Sequence, residues 1–171
     1  MLRAALTVAG IVLAGASQPM ALHSSDFPAS GVIPLPSMAT DCGGKNRSPA
    51  LTWSNAPSGT RSFAIVMHDA DAPISGGFYH WVVYNLPAGT QRLAAGVKLA
   101  PDQLGDTSLG KAAYYGPCPP PGPAHHYTIA VYALDFARIS SSAPLTGPQL
   151  EARIGGHALT HATLQGTASH N

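Results

Sequence analysis

The chain is 171 residues long, about the length of one domain, and can form a sizeable core without a structural metal or many disulfides. Its 9 Lys and Arg against 8 Asp and Glu give a net charge of +1, and these charges form no run. This pattern argues against a nucleic-acid partner, which requires a basic stripe, and against an amphipathic helix on a membrane surface. The 18 glycines and 16 prolines are scattered, as in a loop-rich, mainly β domain.

The first sixteen residues are typical of a secretory signal peptide. Arg3 provides the positive charge, residues 4–13 the apolar core, and Ala14-Gly15-Ala16 a cleavage site. The apolar run is too short to span a membrane. A buried N-terminal helix is the alternative, but a helix of small and aliphatic residues without a polar face suits export better. We predict a signal peptide over residues 1–16 and one domain over 17–171, located in the periplasm or outside the cell.

Four segments in the first half predict β-strands. Residues 31–35 form a short one at best, and residues 51–53 form a strand with Trp53 in the core. Residues 62–67 are apolar enough to be buried on both faces of a sheet, and residues 81–84 repeat this pattern. The segment from Pro87 to Tyr115 has few hydrophobic anchors, so we expect a looping excursion over one face of the sheet.

The second half begins with the clearest strand, residues 127–134. Thr146 is a candidate helix cap, because Gly147-Pro148 follows and proline is tolerated in a first helical turn. Gly155-Gly156 would end this helix. Residues 160–168 are apolar enough for a last strand or an irregular cover. These elements predict a mainly antiparallel β domain with one or two helices.

Two carboxylates close the buried strand at residues 62–67. A carboxylate at the end of such an apolar strand is costly unless it is paired or hydrated at a cleft, so we interpret Asp69 as a site residue. Asp71 follows two residues later. We give equal weight to a role in the site and to a role in fixing the turn before Pro73. His80, flanked by aromatic residues, then opens the next strand. This arrangement is typical of a pocket.

A second group of titratable residues lies at another strand entrance, after the proline-rich residues 116–122. Side chains alternate along a strand, which places His125 and Tyr127 on one face and His126 on the other. His125 and Tyr127 are therefore the candidates for the site. We expect the remaining histidines on the surface or in packing positions, with His68 the best candidate for a supporting role: His23, His68, His157, His161 and His170.

Five motifs follow one another in a recognisable order and spacing. They are residues 48–53 (SPALTW), 57–63 (PSGTRSF), 69–73 (DADAP), 80–87 (HWVVYNLP) and 119–127 (PPPGPAHHY). This series resembles the phosphatidylethanolamine-binding protein family, and most closely its bacterial, Raf-kinase-inhibitor-like branch. The resemblance implies a large central antiparallel sheet with a smaller sheet beside it and a helix towards the C-terminus.

The resemblance also implies a small anion pocket for a phosphate or phosphoethanolamine-like headgroup, without a cofactor or metal. Imidazole and phenol groups, with backbone amides of a Gly-rich rim, are suitable donors to such a ligand. A carboxylate can orient a histidine or meet an ammonium group. The family positions that line the pocket correspond to Asp69, His80, Pro120, His125 and Tyr127, and we expect Asp71 and Trp81 to support them.

Four places depart from the family pattern. Residues 107–110 (TSLG) stand where bacterial relatives tend to have Asn-Asp-Phe-Gly, and three single residues also differ. Ala70 replaces a proline, Pro121 replaces a lysine, and His126 replaces an arginine. Two cationic side chains near the pocket are thereby lost. We expect the affinity for anions to be weaker or differently tuned.

The two cysteines, Cys42 and Cys118, are expected to pair because a signal peptide delivers the chain to an oxidising compartment. In the resemblance their loops lie beside the pocket, so a disulfide would fix its rim. Two free buried thiols are the alternative. A metal or redox pair is less favoured, since the sequence has no C-x-x-C motif.

The residues favour a non-enzymatic binding or regulatory protein, since the sequence has no nucleophile elbow, phosphate loop or zinc-protease helix. A hydrolase or lyase is the alternative, with Asp69 and His80 as acid and base and Tyr127 or His125 as electrophile. A metal site at Asp69, His80 and His125 lacks a signature spacing. An inhibitor of a protease or kinase is a third possibility. The predicted partner is a small anionic or phospholipid-headgroup ligand, and a homodimer stays possible.

Overall fold

Nine β-strands and one α-helix are found in the computed structural model, which describes residues 18–170. The predicted signal peptide lies outside the described residues. Short 3-10 turns occur at Leu35–Ser37, Thr40–Cys42 and Pro101–Gln103. The strands and helix are β1 (Ala21–His23), β2 (Gly31–Val32), β3 (Leu51–Ser54), β4 (Ser62–Asp69), β5 (Phe78–Pro87), β6 (Arg92–Leu93), β7 (Leu104–Gly105), β8 (His125–Leu134), α1 (Gly147–Ile154) and β9 (Ala158–Ala168).

The strands form two sheets. A six-stranded sheet has the order β2-β9-β8-β4-β5-β7, and a three-stranded sheet has the order β1-β3-β6. This confirms the predicted mainly β fold, with a large central sheet and a smaller second sheet. The large sheet is antiparallel except at one edge, where β2 runs parallel to β9 over two residues. A two-residue strand carries too little pattern for its direction to be read from the sequence.

The central strand β4 is buried on both faces, as its apolar sequence predicts. Ile65 and Met67 belong to the larger core, which also includes residues of the three-stranded sheet. Ala64 and Val66 belong to a second core beneath α1. Strands β5 and β8 flank β4, so the centre of the large sheet is a rigid support for residues at its ends.

Helix α1 begins and ends where the sequence predicts. The Thr146 backbone N–H donates to the side chain of Gln149 at 3.0 Å, and Pro148 occupies the first turn. Leu150 and Ile154 are buried against the sheet. In the part of the chain that the structure covers, no helix is long and apolar enough to cross a membrane.

The segment between β5 and β8 is mostly irregular, as expected, but it is anchored at two places. Strand β6 pairs with β3, and β7 forms the edge of the large sheet beside β5. The C-terminal residues form the full strand β9, which decides between the two predictions made for them.

Candidate functional site

The site lies where three neighbouring strands meet at one end of the large sheet. Asp69, the last residue of β4, is paired in register with Phe78 of β5 on one side and with Tyr127 of β8 on the other. His80 and His125 are each two residues away from those partners. Because side chains alternate along strands, both point to the same face as Asp69.

Asp69 and His125 form a pair in which the carboxylate is buried and the imidazole is partly buried. The Asp69 side chain accepts a hydrogen bond from His125 Nδ1 at 2.8 Å through Oδ2, and from the backbone N–H of Asp71 at 2.9 Å through Oδ1. Asp69 is 3% exposed. A buried carboxylate is tolerated only with such partners, so the pairing fixes the positions of both side chains.

His80 is buried and neutral at pH 7. Its Nδ1 donates to the backbone carbonyl of Tyr115 at 2.8 Å, because a carbonyl oxygen can only accept. Desolvation lowers the pKa of His80 to about 4, although the Tyr115 carbonyl and the charge of Asp69 act in the opposite direction. The lone pair on Nε2 is therefore its remaining polar function.

Tyr127 lies completely buried behind these side chains. Its ring meets the His80 ring edge-on, with 5.2 Å between centroids. Burial, and then the negative charge of Asp69, raise the pKa of the Tyr127 phenol. Its hydroxyl lies near enough to the Asp69 carboxylate to interact with it, but forms no hydrogen bond of good geometry among residues 18–170. An unpaired buried hydroxyl is unusual and calls for an explanation.

A cavity of about 130 Å³ opens beside the Asp69–His125 pair. The structure brings four of the five predicted pocket residues to its wall, and Tyr127 is not among them. Trp81, which was expected to support the pocket, lies in the core edge-on to Tyr114. Larger grooves elsewhere on the surface, up to about 700 Å³, contain none of the five predicted pocket residues. The lining consists of Asp69, Ala72, Pro73, Ile74, Phe78, His80, Cys118, Pro119, Pro120 and His125.

Asp71 points away from the cavity and secures the loop after β4. Its Oδ2 accepts from the backbone N–H of His126 at 2.8 Å and from His126 Nδ1 at 2.7 Å. These hydrogen bonds lower the pKa of Asp71, the imidazole contributing most. Asp71 therefore fixes the turn, and it supports the site through the N–H that it donates to Asp69.

Cys118 lines the cavity, and its disulfide with Cys42 confirms the predicted pairing. The two Cα atoms are 5.5 Å apart. Hydrogen bonds reinforce this connection: Gly116 N–H donates to the Asn46 side chain at 2.7 Å, and Ala39 N–H to the Pro117 carbonyl at 3.0 Å. The proline-rich loop is thus attached to the segment before β3.

Three contacts of the site have no clear signal in the sequence. The Tyr115 carbonyl fixes the tautomer of His80 through a backbone contact. Ile74 and Phe78 line the cavity, and only the position of Phe78 beside His80 could have suggested this.

His68 lies on the opposite face of the sheet, where it bonds to the Gly76 carbonyl at 2.8 Å. It thereby holds the loop that carries Ile74.

Comparisons with known proteins agree with this architecture. The family model for phosphatidylethanolamine-binding protein matches residues 23–169. YbhB of Escherichia coli is 39% identical over 127 residues, which cover 71% of this chain and 80% of that protein. The Mycobacterium tuberculosis H37Rv protein named putative lipoprotein LppC is 35% identical over 164 residues, which cover 95% of this chain and 79% of that protein.

Two solved structures show the same fold. The crystal structure of E. coli YbcL, described as a new member of the mammalian PEBP family, has a TM-score of 0.84 at 29% identity, covering 90% of this chain and 100% of that chain. The putative homologue CT736 from Chlamydia trachomatis has a TM-score of 0.80 at 33% identity, covering 90% and 99%. The chain therefore belongs to the phosphatidylethanolamine-binding protein family, in the bacterial branch that includes YbhB and YbcL.

Proposed function

We propose that this protein binds a small ligand with a phosphate or phosphoethanolamine-like headgroup in the cavity beside Asp69 and His125. The observation that carries the proposal is the 2.8 Å pair of buried Asp69 with partly buried His125 at the cavity wall. Charged or chargeable groups in a cleft are costly to maintain and are common at functional sites. The family name and the resemblance of the motifs support the same ligand class.

The free nitrogens of the two histidines define what the ligand must offer. Nδ1 of each ring is already bonded to the protein, which leaves Nε2 for a ligand. A protonated His125 would donate from Nε2 to an anion, with the Asp69 carboxylate balancing its charge. Neutral His80 can only accept at Nε2, from a P–OH or an ammonium group. A phosphate monoester or a zwitterionic headgroup meets both requirements.

The size of the cavity limits the ligand further. A volume of 130 Å³ corresponds to about four water molecules. A phosphoryl group with a short substituent fits this space, whereas the chains of a phospholipid would remain outside. Tyr127 would support the proposed site from behind the cavity wall, where its buried hydroxyl lies near the Asp69 carboxylate.

We propose binding without turnover. An efficient general base has a pKa near the working pH, and burial places the pKa of His80 at about 4. A hydrolase or lyase that uses Asp69 and His80 as acid and base is therefore the weaker alternative.

We further propose that the protein functions outside the cytoplasm. The disulfide and the signal-like sequence at the N-terminus support an oxidising compartment, as does the similarity to a protein named putative lipoprotein. Fractionation of cells that produce the full chain tests this. A chain recovered only in the cytoplasmic fraction would contradict it.

Calorimetric titration tests ligand binding. Inorganic phosphate and phosphoethanolamine should bind the purified protein, whereas ethanolamine should bind at least about tenfold more weakly, because it lacks the anion. His125→Gln should lower the affinity for phosphoethanolamine by at least about tenfold. The matched control is His126→Gln. His126 is the next residue of β8, but its imidazole pairs with Asp71 outside the cavity. This control should bind like the wild type.

Equal loss in the two variants, or no binding of any phosphorylated compound, would overturn the proposed site. Phosphorus NMR of phosphoethanolamine incubated with the protein separates binding from catalysis. The ester should be recovered unchanged, and its conversion at a rate that His80→Gln abolishes would establish the enzyme instead.

A further inference from the structure

A groove of about 500 Å³ lies next to the candidate cavity, at the same end of the large sheet. Side chains alternate along β5, so Phe78 and His80 line the cavity on one face and Tyr79 lines the groove on the other. Ile74, in the loop between β4 and β5, lines both spaces and is 51% exposed. A ligand held in the cavity therefore has to pass only this side chain to reach the groove.

Tyr79 forms a wall of the groove and is held in place on several sides. Its backbone N–H donates to Ser108 Oγ at 2.9 Å, and its carbonyl accepts from the Ser108 N–H at 3.0 Å. Its hydroxyl donates to Glu151 of α1 at 2.8 Å, and its ring packs on His68 with 4.4 Å between centroids. This aromatic surface is already ordered, so a ligand that contacts it does not pay for fixing the side chain.

The lining of the groove determines which chemical group it would accept. Ile74, Tyr79 and Pro148 offer apolar surface, and four glycines place backbone rather than side chains along the wall. None of the lining residues is a lysine or an arginine, and Asp106 is their only carboxylate. A second anionic group of a ligand would therefore be repelled, whereas an uncharged apolar chain gains free energy by leaving water.

The cavity alone is smaller than most ligand sites. Ligand pockets in proteins commonly measure about 300–1,000 Å³. The cavity has a volume of about 130 Å³, which holds a phosphoryl group and little more, and the groove adds about 500 Å³ beside it. Together the two spaces fall within the common range.

We propose that the groove is a second subsite, which binds the uncharged, apolar substituent of a phosphate monoester whose phosphoryl group occupies the cavity. The substituent crosses Ile74 and packs against the Tyr79 ring and Pro148. This inference rests on the proposed function, because the phosphoryl group in the cavity fixes one end of the ligand. It adds that the natural ligand carries an apolar chain longer than the ethylamine group of phosphoethanolamine.

Calorimetric titration of the full chain with methyl, butyl and hexyl phosphate tests the subsite. Each methylene group that enters the groove should tighten binding by about fourfold, so hexyl phosphate should bind at least about tenfold more tightly than methyl phosphate. If methyl phosphate does not bind, the proposed function fails and this inference fails with it. If methyl phosphate binds and hexyl phosphate binds no more tightly, the second subsite alone is overturned.

Ser75→Trp distinguishes the groove from other apolar surface near the cavity. Ser75 is exposed and lines the groove but not the cavity. An indole ring there should obstruct the groove, so hexyl phosphate should bind at least about fivefold more weakly than to the wild type, while methyl phosphate binds equally. The matched control is Ser142→Trp, at an exposed serine that lines two other grooves. It should keep both wild-type affinities, and equal losses in the two variants would contradict the subsite.

Intermolecular nuclear Overhauser effects locate the chain in the wild-type protein, so this result does not depend on the folding of a variant. The terminal methyl protons of hexyl phosphate should show contacts with the ring protons of Tyr79. The methyl protons of methyl phosphate should show none, because this ligand ends inside the cavity. Contacts of the hexyl chain with Phe78 but not with Tyr79 would overturn the inference, since the chain would then leave the cavity on the other face of the sheet.

Discussion

The buried, neutral state of His80 makes stability depend on pH. Burial lowers its pKa from 6.5 in the unfolded chain to about 4 in the folded one. The unfolded state binds the proton more tightly than the folded state. The contribution of neutral His80 to the free energy of unfolding is therefore present above pH 6.5 and is lost as the pH falls towards 4. Between about pH 7.5 and pH 4.5, the linkage relation gives a loss of about 2.5 kcal/mol in the free energy of unfolding.

Urea unfolding of the wild type and His80→Gln at both pH values isolates this contribution. Carboxylates also titrate at low pH, so the informative quantity is the difference between the two proteins. The free energy of unfolding should fall by about 2.5 kcal/mol less in His80→Gln than in the wild type. His161→Gln, at an exposed position, should keep the wild-type pH dependence. Equal pH dependence of wild type and His80→Gln would refute the assignment of a buried neutral imidazole.

Three further predictions concern stability. Replacing Cys42 and Cys118 together by serine should lower the free energy of unfolding by about 4 kcal/mol, because the bridge closes a separation of 76 residues; denaturant titration measures this loss. Gly147→Ala should cost about 1–3 kcal/mol by the same method, because the added methyl group collides with the Tyr79 ring. Tyr127→Phe should be neutral or stabilising by up to about 1 kcal/mol in thermal unfolding, because the lost hydroxyl forms no hydrogen bond of good geometry in the described chain.

Each of these has a clear contrary result. A loss below about 1 kcal/mol in the double serine variant would mean that the bridge hardly constrains the unfolded chain. Wild-type stability of Gly147→Ala would mean that the Tyr79 ring moves aside at no cost. Destabilisation of Tyr127→Phe by more than about 1 kcal/mol would show that the hydroxyl is hydrogen-bonded after all.

The central strands could be predicted because runs of consecutive apolar residues indicate a strand that is buried on both faces. Strand β4 is apolar from Phe63 to Met67, and β8 has its two histidines at one end. Both patterns involve only residues that are neighbours in the sequence. The convergence of Asp69 with His80 and His125 followed from the order of the motifs, and the structure brings these three side chains to one cavity wall.

Other features depend on which segments meet, and single residues do not encode this. Trp81 was expected to support the pocket; a register shift between β4 and β5 pairs it with Met67, and it lies in the core against Tyr114. The partner of His80 is a carbonyl, and any residue type at position 115 supplies one.

The strand order also determines when the site is completed during folding. Asp69 and His80 belong to neighbouring strands joined by a short loop, whereas Asp69 and His125 are 56 residues apart. Long-range strand pairings form late because closing long loops is entropically costly. Docking of β8 against β4 is therefore the event that creates the pair. Partly folded chains that lack this pairing lack the Asp69–His125 pair at the cavity wall, so binding at the proposed site would report the docking of β8.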